Sequence, residues 1–265
     1  MAMHVCVFMK RILDPELPAS RFRIDPQAKD ARVEGAPYVM GPYDENALET
    51  ALKMKDRDPS VRVTVVSYGP VGAEEILRKA LAAGADDAVW VNADGTGRVH
   101  DAFHVAHVLS AVVKRMGDVG VSLCGLQSGD WDSGQTAFAL AEHLDAASVS
   151  LVAELESTED GARVRRVLEG GMERVKVPLP CVVSVTNDGT NALRMAKVKD
   201  ILAAKRKTVE HLTLSDLGVE TTTGAEVLDL TAPEVRKAAC TWIEGETGQD
   251  RGRALADALV SMHIL

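Results

Sequence analysis

Aromatic residues, paired cysteines, long apolar runs and excess basic charge are all scarce in this sequence. Aromatics are 4% of the 265 residues, so any core must be filled by Val, Leu, Ile and Ala, which an apolar content of 46% permits. The four cysteines, Cys6, Cys124, Cys181 and Cys240, lie far apart with no CxxC; at least three sit in apolar surroundings and read as buried thiols in a reducing compartment, by default the cytoplasm. No apolar stretch approaches the roughly 18 residues of a membrane span, so membrane insertion is not expected. MAMHVCVFMKR reads as a strand rather than a signal peptide, its apolar run being short. Acidic residues outnumber basic ones, 39 to 30, and a formal charge of −9 argues against nucleic acid as the main partner. Also missing are GxxxxGK[ST], GxGxxG and GxSxG, and Gly95-Thr-Gly97 is too short for a dinucleotide fingerprint. No Ser–His or Cys–His pair suggests a nucleophile, and no residue stands out as a general base.

Strand and helix patterns alternate through the first half of the chain. Strands are expected at His4–Met9, Val61–Ser67, Ala88–Val91 and Val119–Cys124. Helices are expected at Glu45–Lys55, Glu74–Ala83 (closed by Gly84), Asp101–Met116 and Ala137–Leu144. The Pro-, Gly- and charge-rich stretch from Asp14 to Pro42 reads as a long excursion or hairpin. The alternation predicts an α/β fold with a parallel sheet and helices on both faces. Ligands of such sheets bind beyond the carboxyl ends of the strands. Four loops share that position: the one after Met9, Gly41–Asp44, Tyr68-Gly-Pro70 and Gly125–Thr136.

The last loop, GLQSGDWDSGQT, runs from a strand into a helix. Free N–H groups at a helix start favour an anion, and Ser128, Ser133, Gln135 and Thr136 can add donors. Asp130 and Asp132 would repel a bare phosphate. They suit helix capping, ribose hydroxyls or a bridging cation better. The plain alternative is an ordinary capped loop. As a magnesium-binding pair for phosphate chemistry they stand too far past the strand. His100, His104 and His107 share a helical face by spacing, but a solvated face is the better reading than a metal site. Lys197, Lys199, Lys205, Arg206 and Lys207 form a basic cluster, read either as a solvated helix face or as a docking surface.

After Ser148 the texture changes. Val149–Glu156 and Ala162–Leu168 read as a β-hairpin, Arg174–Val177 and Cys181–Thr186 as strands, and Arg194–Lys207 as helix-compatible. Beyond Thr208 no compact core is expected. Thr221–Gly224 reads as a turn, Val235–Ile243 as mixed and Asp250–Met262 as an amphipathic helix. Such a tail packs either on a partner or on its own domain.

Several blocks, in order, resemble the β subunit of electron transfer flavoproteins, the FixA type. KRILD (Lys10–Asp14) is similar to that family's KRVxD, and GPYDENALE (Gly41–Glu49) to its NPFDENALE. Ser67–Pro70 and Ala80–Asp86 resemble SxGP and ALAMGAD, and GLQSGDWDSGQT resembles GxQxxDxDxxQT. EGGMERVKVPLPCVVSVTND (Glu169–Asp188) resembles DGGxExVxxxLPAVVxV, and ILAAKRK (Ile201–Lys207) resembles IMKAKKK. The resemblance implies a Rossmann-like, adenine nucleotide α-hydrolase-like domain at 1–207, with its hairpin near 149–168. It implies an arm at 208–265 that packs on an α subunit holding the redox FAD. It also implies a non-catalytic chain that holds AMP, serves a dehydrogenase such as an acyl-CoA dehydrogenase, and passes electrons to a quinone reductase or similar acceptor.

By this resemblance the nucleotide contacts are Phe8, Gly41, Pro42, Tyr43, Asp44, Tyr68, Gly125, Leu126, Gln127, Ser128, Gly129, Asp130, Trp131, Asp132, Ser133, Gly134, Gln135 and Thr136. Asn191–Lys207 corresponds to the dehydrogenase-recognition loop. Val198 stands at its anchoring leucine and Lys199 at the adjacent proline. Pro15 replaces an aromatic residue near the flavin. Bifurcating relatives carry a second FAD in place of AMP; Gln135-Thr136 is nearer the AMP form. A stand-alone nucleotide-binding protein of the universal stress type is the other alternative.

Overall fold

In a computed structural model of the chain, residues 3–93, 100–158, 161–220, 224–232 and 240–264 are described. Gly95-Thr-Gly97, 221–223 and 235–239 lie outside them. The chain runs β1 (His4–Phe8), β2 (Arg11–Leu13), β3 (Arg23–Asp25), β4 (Asp30–Arg32), β5 (Tyr38–Met40), α1 (Pro42–Arg57), β6 (Arg62–Gly69), α2 (Glu74–Ala83), β7 (Asp87–Asn92), α3 (Ala102–Met116) and β8 (Val119–Gly125). It continues with α4 (Thr136–Leu144), β9 (Ala147–Thr158), β10 (Gly161–Leu168), β11 (Gly171–Val177), β12 (Cys181–Val185), α5 (Val198–Ala204), β13 (Val209–Leu212) and α6 (Gly248–Ser261).

Among the described residues one nine-stranded sheet has the order β11-β10-β9-β12-β8-β1-β6-β7-β13. From β9 to β13 neighbouring strands are parallel, and only β9-β10-β11 is antiparallel. The expected parallel α/β sheet is therefore present, with the expected hairpin extended to three strands at one edge. β1 is buried throughout, and its alternation builds both layers. Val5 and Val7 pack with Leu48, Leu52, Ile76 and Leu77 of α1 and α2. Cys6 and Phe8 pack with Leu109, Val112 and Leu140 of α3 and α4. Aliphatic side chains fill both layers, as the shortage of aromatics requires.

Several boundaries differ from expectation. The first turn of α1 takes in Pro42–Asp44, with Gly41 as N-cap, because proline at the first helical position loses only an N–H that has no helical partner. The Asp14–Pro42 excursion folds as two small ladders, β2 with β5 and β3 with β4. Arg194–Lys207 is helical only from Val198 to Ala204. Upstream of α5 the segment is irregular, and the backbone N–H and guanidinium of Arg194 fasten it to Glu49 of α1. β13 pairs in parallel with β7, Leu212 and Val219 join the core, and the first compact unit runs to Asp229. The second unit, 230–265, carries α6, whose N-terminus holds a capping box between Thr247 and Asp250. Trp242, Leu255, Val260, Met262 and Ile264 of this unit are exposed.

Candidate functional site

From β1 the chain passes to β6 and β7 on one side, then returns to β8 on the other side of β1. A reversal of this kind opens a crevice past the strand ends. A cleft lies there, with about 800 Å³ of empty space when the open solvent at its mouth is included. Its walls are Phe8, Met9 and Lys10 at and after the end of β1, Val66 and Tyr68 of β6, Cys124–Ser128, Trp131, Ser133 and Gly134 at and after β8, and Thr136 and Ala137 opening α4. Asp44, His100, Ala102, Val105 and Leu109 complete it.

Asp44 holds the floor together. Its Oδ2 accepts from the Lys10 N–H at 2.8 Å, and the Gly125 N–H also bonds the carboxylate, so one side chain ties the ends of β1 and β8 to the first turn of α1. Burial pushes its carboxyl up to about 7, against the pull of those N–H groups and of the Lys10 charge. The approach is close enough to demand glycine. A Cβ on Gly125 would stand 2.5 Å from Asp44 Oδ1 and 2.9 Å from the Tyr43 carbonyl carbon. Burial also raises the Cys6 and Cys124 thiols far above their usual range, so both remain inert apolar filling.

The loop after β8 is turned by two left-handed residues, Asp132 (φ 51°) and Gly134 (φ 62°). Neither aspartate caps α4, contrary to one expectation. The N-cap position is Gln135, in helical conformation and without a side-chain bond. Lys10 Nζ pairs with Asp130 at 2.8 Å, and Asp132 Oδ1 accepts from Gln127 Nε2 at 3.1 Å. The leading N–H groups of α4 thus take no side-chain cap, at a helix end where Thr136 and Ala137 line the cleft.

Of the expected contacts, Phe8, Asp44, Tyr68, Gly125–Ser128, Trp131, Ser133, Gly134 and Thr136 line the cleft. Gly41, Pro42, Tyr43, Gly129, Asp130, Asp132 and Gln135 do not. Gly41–Tyr43 are taken up in starting α1, and a Cβ on Gly129 would meet Ile12 at 3.0 Å and Pro42 at 3.5 Å. The three histidines diverge. His100 precedes α3 and stacks on Trp131, with ring centroids 4.4 Å apart and 25° between planes. His104 is buried and bonds the Tyr68 hydroxyl at 3.1 Å, while His107 stacks on His143. Among the described residues no group of His, Cys, Asp or Glu is arranged to hold a metal. Sequence reasoning missed Met9, Lys10 and His100 as cleft residues. Lys10 directly follows Met9 at a strand end, a signal already present in the loop assignment, whereas nothing in the histidine spacing pointed to the cleft.

Outside the cleft, Met195, Val198, Ile201 and Leu202 are exposed around α5. Lys199 lies on the same helix. The segment is anchored at its base by Asn191, whose Nδ2 donates to the Thr186 carbonyl and whose own carbonyl accepts from Asn46 Nδ2.

The electron transfer flavoprotein domain family matches residues 32–217. The chain is 34% identical over 236 residues to an electron transfer flavoprotein subunit beta of Bradyrhizobium diazoefficiens, covering 89% of this chain and 92% of the relative. It is 33% identical over 225 residues to protein FixA of Azotobacter vinelandii, covering 83% and 78%. It is 31% identical over 217 residues to a caffeyl-CoA reductase-Etf complex subunit, CarD, of Acetobacterium woodii, covering 82% and 80%. No helix among the described residues is long and apolar enough to cross a membrane.

Proposed function

This chain belongs to the electron transfer flavoprotein family, in its β-subunit and FixA branch, and on that premise we propose that it is the nucleotide-holding, non-catalytic subunit of a two-chain electron carrier. The cleft at the switch between β1 and β8 is the single observation that carries this reading. Its chemistry fits an adenylate. Lys10 and the uncapped start of α4 suit the phosphate, Ser128, Ser133 and Gln127 supply hydroxyl and amide partners, and Phe8, Trp131 and Leu126 offer apolar surface to a base. Asp44 lies among these donors as a neutral or singly charged floor, already engaged by backbone N–H groups. AMP in this cleft would serve as scaffolding.

The redox chemistry is that of an FAD held mainly by an α subunit, and this chain would supply support and selection. The 230–265 unit, with its exposed Trp242, Leu255 and Val260, is read as the arm that packs on that partner. The exposed apolar residues Val198, Ile201 and Leu202, beside Lys199, are read as the surface that docks an acyl-CoA dehydrogenase or similar donor. A quinone reductase or comparable acceptor would take the electrons onward. Family membership removes the support for a stand-alone stress-type protein.

The test is to co-produce the chain with its α-type partner, purify the complex, denature it and weigh the released small molecules. One FAD and one AMP per complex are expected. Two FAD would replace the AMP reading with the bifurcating one, and a colourless chain that binds neither partner nor nucleotide would overturn the proposal.

A further inference from the structure

Among the side chains lining the cleft, His100 stands apart: its ring nitrogen Nδ1 is buried and has no hydrogen-bond partner among the described residues. A buried polar atom left without a partner is costly, and native structures seldom keep one without a use. The ring's plane is set by Trp131, on which it stacks at 4.4 Å, an arrangement that holds aromatic rings in register. Trp131 is itself a cleft residue, so the orphaned nitrogen belongs to a ring held rigidly in the wall of the site.

We propose that His100 is a nucleotide-contacting residue of this cleft, its Nδ1 bonding the edge of the purine base while Trp131 fixes the ring. The inference rests on the nucleotide reading of the cleft and adds to it the group that recognises the base. The chemistry suits adenine. Its edge carries a donor amine beside an acceptor ring nitrogen, so it can satisfy Nδ1 in either imidazole tautomer. Burial, and then the neighbouring Lys10, hold the His100 pKa below its ordinary value, against Asp30 and Asp130. The ring is accordingly uncharged at neutral pH, suited to a neutral base edge, and the cation for the phosphate is left to Lys10.

Titration calorimetry on the co-purified complex, stripped of nucleotide, tests this with AMP and with ribose 5-phosphate as the base-free probe. His100→Ala and His100→Phe are each expected to weaken AMP by at least about tenfold, with ribose 5-phosphate binding unchanged. His100→Asn, whose amide places a donor or acceptor near the site of Nδ1, is expected to recover most of the loss. His100→Phe keeps a stacked ring and separates packing from hydrogen bonding. AMP binding by this variant at the wild-type level would show that the ring only packs, and would end the assignment. Equal losses for AMP and ribose 5-phosphate would end it too, since the effect would then not lie at the base. A wild-type complex that binds no AMP at all overturns the nucleotide reading itself, and this inference with it.

Discussion

Arg194 grips Glu49 with three groups at once: its backbone N–H at 3.0 Å from Oε2, its Nε at 3.0 Å from the same oxygen and its Nη2 at 2.9 Å from Oε1. The carboxylate is buried and the guanidinium, which also reaches Asp56, is about one-third exposed. This contact decides the course of the chain between β12 and α5, because it fastens an irregular segment along α1 where residue type alone would extend the helix backward.

Removing Arg194 leaves Glu49 buried without its cation. Arg194→Ala is expected to cost about 2–4 kcal/mol of stability, somewhat below a fully buried pair because water reaches the guanidinium. Urea unfolding of both proteins measures it, and a loss under about 0.5 kcal/mol would demote the pair to a surface contact. The same variant should weaken dehydrogenase docking, since Met195 and Val198 follow directly on the freed segment.

Asp44 makes stability depend on pH in an unusual direction for a carboxylate. Its folded pKa is raised to about 7 from 3.8, so the folded state holds a proton that the unfolded state has released. The contribution of this carboxyl to stability is therefore full below about pH 4, falls as pH rises towards 7, and is level above that, with a slope of at most about 1.4 kcal/mol per pH unit. Asp44→Asn cannot ionise and should lack this slope. Melting temperatures of the two proteins at several pH values between 4.5 and 8 give the comparison; parallel curves would mean that the carboxyl titrates normally.

Gly125 sits against the backbone of α1, where an added Cβ would meet Asp44 N at 2.9 Å. Backbone cannot yield as a flexible side chain does. Gly125→Ala is expected to destabilise by about 1–3 kcal/mol and to loosen the cleft floor, giving lower AMP affinity in the same preparation. An alanine variant as stable as wild type would show that the strand end and the helix can move apart freely.

Lys10 and Asp130 are bonded to each other at the cleft, yet only the lysine lines it. Lys10→Met should lower AMP affinity by about tenfold, an effect that weakens with added salt. Asp130→Asn should leave it unchanged or raise it slightly by freeing the cation. Calorimetry at two salt concentrations separates the cases, and a larger loss from Asp130→Asn than from Lys10→Met would reverse these assignments.

The sequence by itself determined the α/β class, nearly all the central strands and helices, the edge hairpin and the loops that meet at the cleft. Local periodicity carries that information: β1, α2 and α3 fall almost where alternation and helical spacing put them, because each buries one face in a layer that any such sheet must have. It also carried enough paired motifs to point to the family. Only the tertiary structure decided the rest. β13 is short and exposes Glu210 and His211, so nothing local marks it as a strand until β7 offers an open edge. The irregular run to α5 is fastened to Glu49, 145 residues away. His100 left its supposed helical face because the helix begins after it, at Ala102, with Asp101 as the N-cap whose carboxylate accepts from the N–H groups of Phe103 and His104. Its stacking on Trp131 joins residues that no spacing relates. Contacts between distant segments are paid for in chain entropy and repaid in packing, and that balance is settled only once the sheet has brought them together.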